Sequence, residues 1–217
     1  ACQKGHLEIA RLLRDAGAAI NQADAEGVTP LFAACEDGQL ECVRLLLEVG
    51  AAINRATQNG ATPLLVACQE GHVEIARLLL ETGAAVDQAQ ENGITPLFMA
   101  CQNGHLECAQ VLQQAGAAVN QAEEDGATPL YMACQKGHVD IVRLLLEAGA
   151  VVDQASGNGV APLLMACQKG HLEIAKLLSS YGASRAATPF GTPEEIATDE
   201  GHADLAAWLV ASRGWTP

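Results

Sequence analysis

The sequence predicts an all-α solenoid built from stacked helix-turn-helix units, and three observations predict it. Glycines recur at Gly27, Gly60, Gly93, Gly126 and Gly159, each 33 residues after the last. Cys2, Cys35, Cys68, Cys101, Cys134 and Cys167 keep the same step, as do Gly5, Gly38, Gly71, Gly104, Gly137 and Gly170. Between these markers each unit carries a Thr-Pro-Leu start signal, or Ala161-Pro162-Leu163 in its place, and then two apolar stretches parted by Gly. A fixed period marks an architecture in which every unit packs only on its neighbours, so a length of 217 residues implies no single large core.

The unit from Thr57 shows how each element arises. Asn59-Gly60 is a turn signal, with Gly free to take positive φ. Thr62 is placed as an N-cap and Pro63 as the first helical residue, where a missing N–H is harmless. The first helix then runs through Leu64, Leu65, Val66, Ala67 and Cys68 and stops near Gly71. Val73, Ile75, Ala76, Leu78, Leu79 and Leu80 give a second helix its apolar stripe, closed by Gly83 as a C-cap. Ala84-Ala85-Val86-Asp87 leads out to the next turn. One such pair cannot bury its apolar side alone, but stacked neighbours can.

A 33-residue period with Thr-Pro-Leu and a following pair of small residues resembles the ankyrin repeat, over essentially the whole chain. The resemblance implies a turn or β-hairpin projecting from a concave face at the start of each unit. Full units are expected to begin near residues 24, 57, 90, 123 and 156, after a partial unit at 1–23 and before a degenerate one at about 187–213. Together they form one repeat domain, 1–213, with 214–217 as the cut-off start of a further unit. In the degenerate unit Glu194 stands where the others have Leu, Arg185 stands where they have Ile or Val, and the turn is about two residues short. Trp215 reads as half of a contact whose partner is missing, and the chain is expected to be a fragment of a longer protein.

The repeated Cys and His invite a metal or redox reading, since both ligate ions well. Three points favour a packing slot. Each Cys follows Ala, as in Ala67-Cys68 and Ala133-Cys134, where ankyrin units place small residues against the next helix. Free Cys behaves as a small, buried hydrophobe. Packed helices lie about 8–10 Å apart, whereas Cα atoms joined by a disulfide lie within about 7 Å, so successive rungs should not bridge. The His series runs through His6, His72, His105, His138, His171 and His202 and is broken only by Gln39, which could replace a hydrogen-bonding His but would ligate metal poorly. In ankyrin units this His hydrogen-bonds backbone at the helix-helix turn. Cys42 and Cys108 take the place of Ile9, Ile75, Ile141 and Ile174 in the second helices. Eight thiols without a defensible pairing point to a reducing, intracellular compartment, the cytoplasm.

The formal charge of −14 repels phosphate backbones and anionic lipid, and no basic run is interleaved with aromatics, so neither nucleic acid nor membrane is an expected partner. Charge triplets such as Glu41-Arg44-Glu48, Glu74-Arg77-Glu81 and Asp140-Arg143-Glu147 suit a solvated outer face. No phosphate loop and no nucleophile motif is present, so no enzyme, metal or cofactor is expected.

In ankyrin proteins partner contacts come from the turn tips and the inward side of the first helices. Carried onto this chain, the tips are Glu26, Gln58, Asn59, Glu91, Asn92, Glu124, Asp125 and Asn158. The first-helix ends offer Gln69, Gln102, Asn103, Gln135, Lys136, Gln168 and Lys169, with Glu36 and Asp37 before them. Phe32, Phe98 and Tyr131 follow Pro-Leu where many ankyrin units have His, and either pack between units or reach the groove. The expected function is a non-catalytic, monomeric scaffold for another protein, a basic one fitting the acidic surface. Two alternatives stand beside it: a rigid spacer within a larger protein, and a metal- or redox-responsive Cys/His ladder. The groove is polar and nearly lacks the Trp, Tyr and Arg anchors of tight interfaces. A modest-affinity partner, contacts outside this stretch, or a spacer role would each account for that.

Overall fold

The computed structural model describes residues 1–212, so the Trp215 contact lies outside the described residues. The chain falls into two compact units, residues 1–118 and 119–217. In the first, a 3-10 turn at Cys2–Lys4 is followed by α1 (Leu7–Asp15), α2 (Pro30–Glu36), α3 (Leu40–Glu48), α4 (Pro63–Gln69), α5 (Val73–Glu81), α6 (Pro96–Asn103) and α7 (Leu106–Gln114). The second holds α8 (Pro129–Lys136), α9 (Val139–Glu147), α10 (Pro162–Lys169), α11 (Leu172–Ser180), α12 (Pro193–Asp199) and α13 (Ala203–Ala211). Within each unit first helices stack on first helices, as α2 on α4 on α6 or α8 on α10 on α12. Second helices form a parallel layer, α1 through α7 by odd number in the first unit and α9, α11 and α13 in the second.

The start signals work as read. The hydroxyls of Thr29, Thr62, Thr95 and Thr128 accept the backbone N–H three residues on, at 3.1–3.2 Å, each with Pro at the first helical position. Ala161 takes the same extended backbone at the head of α10 but offers no cap. Supplying one by Ala161→Thr is expected to raise stability by about 1 kcal/mol, seen as a higher urea midpoint with an unchanged slope. α12 instead closes a full capping box between Thr192 and Glu195. Gly83, with φ +98°, follows the C-cap Thr82 of α5 rather than serving as the cap itself.

The projecting segments are tight turns. Asp24 N–H donates to the Val28 carbonyl, and the bond recurs from Thr57 to Ala61, Gln90 to Ile94, Glu123 to Ala127 and Ser156 to Val160. Gly27, Gly60, Gly93, Gly126 and Gly159 all take positive φ there. In the last unit the turn is one residue tighter, closing from Thr188 to Gly191 as the one isolated bridge among the described residues. Neighbouring tips bond backbone to backbone: Gln58 N–H to Glu26 C=O at 2.9 Å, Glu91 to Asn59 at 3.1 Å, Gly157 to Asp125 at 2.6 Å.

The core is the face each helix pair turns to the next. Leu64, Leu79, Leu97 and Leu112 fill it in the first unit and Leu130, Leu145, Leu163 and Leu178 in the second, all fully buried. Phe32, Phe98 and Tyr131 are buried too, as packing groups, and Phe32 also borders a cleft. No described helix is long and apolar enough to cross a membrane.

Candidate functional site

Two sets of side chains repeat faithfully, and the structure gives each an internal task. The imidazole Nε2 of His72 donates to the Glu36 carbonyl at 3.1 Å, that of His105 to Gln69 at 2.9 Å, that of His171 to Gln135 at 3.4 Å and that of His202 to Gln168 at 3.1 Å. A carbonyl only accepts, so each of these rings carries its proton on Nε2. The rings therefore satisfy carbonyls that the preceding first helix leaves without intrahelical partners. Each also lies flat over a glycine of the preceding turn: a Cβ on Gly38 would come within 2.7 Å of the His72 ring, and one on Gly71 within 2.6 Å of His105. Gly137 beneath His171 and Gly170 beneath His202 repeat the arrangement. Gly and His recur together because one is the seat of the other, which the sequence showed only as a helix stop. Gln39 fills the seat over Gly5 but donates to its own Asp37 carbonyl at 3.1 Å.

The ladder cysteines Cys35, Cys68, Cys101, Cys134 and Cys167 are completely buried. Burial pushes the thiols of Cys35, Cys101 and Cys134 far up and that of Cys167 up to about 12, which leaves them protonated and poor as ligands or nucleophiles. Among the described residues no three His, Cys, Asp or Glu side chains gather to hold an ion.

A third ladder escaped the sequence reading. The side-chain oxygens of Asn21, Asn54, Asp87, Asn120 and Asp153 each accept the N–H of a residue 31 positions on, from Ala52 at 2.8 Å to Ala118 at 3.0 Å. The signal was an Asn or Asp every 33 residues in the lead-out segment.

What faces outward is the proposed interaction surface. Glu26, Gln58, Asn59, Glu91 and Asn92 are exposed at the tips of the first unit, and Glu124, Asp125 and Asn158 at those of the second. Asn103, Lys136, Gln168 and Lys169 are exposed at first-helix ends, while Gln69, Gln102 and Gln135 are half-buried there. Several of these already have structural work. The Asn59, Asn92 and Asn158 oxygens accept the backbone N–H two residues on at 3.1–3.3 Å, shaping their own turns. Asn103 donates to the Gln69 carbonyl at 2.9 Å, and Gln58 to Ala25 at 2.6 Å.

In the first unit the tips and first helices enclose a cleft of about 420 Å³. Glu26, Glu36, Gln58 and Gln69 line it, together with an apolar floor of Val28, Phe32 and Leu65. Thr57 and Gln90 also line it, and neither was singled out from the sequence. The second unit has a smaller cleft of about 240 Å³ in which Gln168, Asp199 and Glu200 surround Leu164, Ile196 and Phe190. At the far side of that unit Arg185 donates to the Leu209 carbonyl at 3.3 Å and to the hydroxyls of Ser212 and Ser179 at 3.0 and 3.1 Å. Its guanidinium stands 4.9 Å over the Trp208 ring. The residue that departs from the Ile/Val pattern thus ties down the end of α13.

Residues 1–90 and 82–156 match the family described as ankyrin repeats (3 copies), and residues 158–188 match the single ankyrin repeat. The human ASB11 ankyrin repeat domain, a crystal structure, aligns with 100% of this chain and 97% of its own length at a TM-score of 0.88 and 31% identity. No curated protein sequence matches the chain. The capped first helices, the stacked turns and the His-on-glycine seats are thus those of a member of the ankyrin-repeat family, to which this chain belongs.

Proposed function

We propose that this chain is a non-catalytic scaffold that binds another protein through its turn tips and first helices, and that the partner surface is basic. Ankyrin repeats generally serve as protein-interaction modules. The observation that carries the finer reading is the cleft of the first unit, where an apolar floor of Phe32 and Leu65 lies beside Glu26 and Glu36. That pairing suits an aliphatic stem ending in a cation, as Lys and Arg provide. The net charge of −14 adds long-range attraction for such a partner. The eight free thiols suit a reducing compartment such as the cytoplasm.

The test combines Glu26→Lys, Glu91→Lys and Glu124→Lys, at three exposed tip residues. Partners are captured on the unmodified chain and identified, and the same capture is repeated with the triple variant. The expected result is at least about a tenfold loss of binding, with an unchanged melting curve. Equal capture by both proteins would reject this face and leave the spacer reading in its place.

A further inference from the structure

The projecting turns begin on residues that fasten them from within, and one turn differs. The carboxylates of Asp24 and Glu123 accept the N–H groups two and four residues on, those of Glu26 and Val28 and of Asp125 and Ala127, all at 2.9 Å. The hydroxyls of Thr57 and Ser156 instead donate to the side-chain oxygens of Asn59 and Asn158, both at 2.6 Å. Those oxygens also accept the N–H two residues on, from Ala61 at 3.3 Å and Val160 at 3.1 Å. Gln90 stands at the head of the remaining turn and has no hydroxyl to offer. Among the described residues, the Asn92 oxygen has one donor, the N–H of Ile94 at 3.3 Å.

Asn59, Asn92 and Asn158 are all exposed, and each is followed by glycine. We propose that Asn92-Gly93 is a site of spontaneous deamidation, faster than any other in the chain, and that the hydroxyl clamp protects Asn59 and Asn158 from the same reaction.

The chemistry needs only water and hydroxide. Hydroxide takes the amide proton of Gly93, and the bared nitrogen attacks Cγ of Asn92. The bond from Cγ to the side-chain nitrogen then breaks, and the nitrogen leaves as ammonia with a proton from water. Water opens the resulting five-membered succinimide at either carbonyl, giving aspartate or isoaspartate. One water is consumed and one ammonia released, with no change of oxidation state. Glycine favours the attack because no Cβ crowds its nitrogen. The nucleophile is held alike in all three turns, since Gly60, Gly93 and Gly159 donate to the Thr57, Gln90 and Ser156 carbonyls at 3.0, 2.9 and 2.8 Å. The difference lies in the side chain, which must leave its hydrogen bonds to bring Cγ to that nitrogen. Asn59 and Asn158 have one more bond to break, a difference of about fivefold in rate for an ordinary hydrogen bond. Asn103 also precedes glycine, but it closes α6 and donates to the Gln69 carbonyl at 2.9 Å. The product adds a negative charge to the tip, and its isoaspartyl form adds a backbone carbon to the turn closed between Gln90 and Ile94. None of this rests on the partner proposed above.

The experiment incubates the folded chain at mildly alkaline pH and follows each asparagine by peptide mapping and mass spectrometry, beside a sample held unfolded in urea. In the folded chain Asn92 is expected to deamidate about fivefold faster than Asn59 or Asn158, and in urea the three rates are expected to converge. Gln90→Thr is expected to slow Asn92 to the rate of Asn59, and Thr57→Val to bring Asn59 up to that of Asn92. Equal rates in the folded chain, an earlier loss at Asn59, Asn103 or Asn158, or the same ranking in urea would each overturn the assignment. The ranking in the unmodified chain decides the matter whether or not the variants fold.

Discussion

Raising the pH from about 8 to about 10 is expected to remove about 6 kcal/mol of folding stability, much of what a domain ordinarily possesses. The cause is the set of completely buried thiols. Cys35, Cys101, Cys134 and Cys167 are all held above the ordinary thiol value of 9.0 by burial. In the unfolded chain these groups ionise near that ordinary value, while in the folded chain they keep their protons. Above it the folded state binds more protons, so stability is fully present below about pH 9 and falls as pH rises towards the folded values. Each thiol gives up about 1.4 kcal/mol per pH unit over that window. Urea unfolding across the alkaline range checks the claim. A variant with Ala at all four positions is expected to lose most of the slope, and a parent chain equally stable at both ends of the range would contradict the burial account.

Gly71→Ala is expected to destabilise the first unit by about 3 kcal/mol. Its φ of +76° is left-handed, where a Cβ is unfavourable by about 1–2 kcal/mol. The added carbon would also lie 2.6 Å from Nδ1 of His105, so the ring must move away. Moving it breaks the 2.9 Å bond to the Gln69 carbonyl, a further loss of about 1 kcal/mol. Gly83→Ala is the matched control. It has φ +98° with nothing within 4 Å of a Cβ, so it should show the backbone part alone. Thermal or urea unfolding of the two variants separates the terms, and equal effects at both positions would show that the imidazole seat contributes nothing.

Those contacts explain which parts of the molecule could be read in advance. The helices, their Thr caps and the turn glycines were legible because each signal and its consequence lie within four residues of one another. Thr62 and the N–H of Leu65 are an example. The period itself was legible because five copies of the same words average out local noise. The contacts between helix pairs were not. His72 meets a residue 36 positions back, Asn21 one 31 positions on, and Asn103 one 34 positions back. None of these equals the 33-residue period, so comparing equivalent positions aligns like with like and hides who touches whom. The proposed interaction face was legible only as a set of exposed positions. Asn59, Asn92 and Asn158 look variable and polar at the tips, yet their side chains bend the turns that carry them. Glu26 differs from them in sequence only by being acidic, and its place beside the apolar cleft emerged from the fold.

The account stands on the claim that the recurring side chains hold one helix pair to the next, and a double-mutant cycle between Gly71 and His105 tests it most directly. Unfolding free energies are measured for the parent chain, Gly71→Ala, His105→Ala and the pair. With the ring removed, Gly71→Ala is expected to retain only its backbone part, so the two changes should be coupled by about 1–2 kcal/mol. If Gly71→Ala is equally harmful with and without the imidazole, the ring is not seated on the glycine, and the cohesive role assigned to the repeated histidines is wrong.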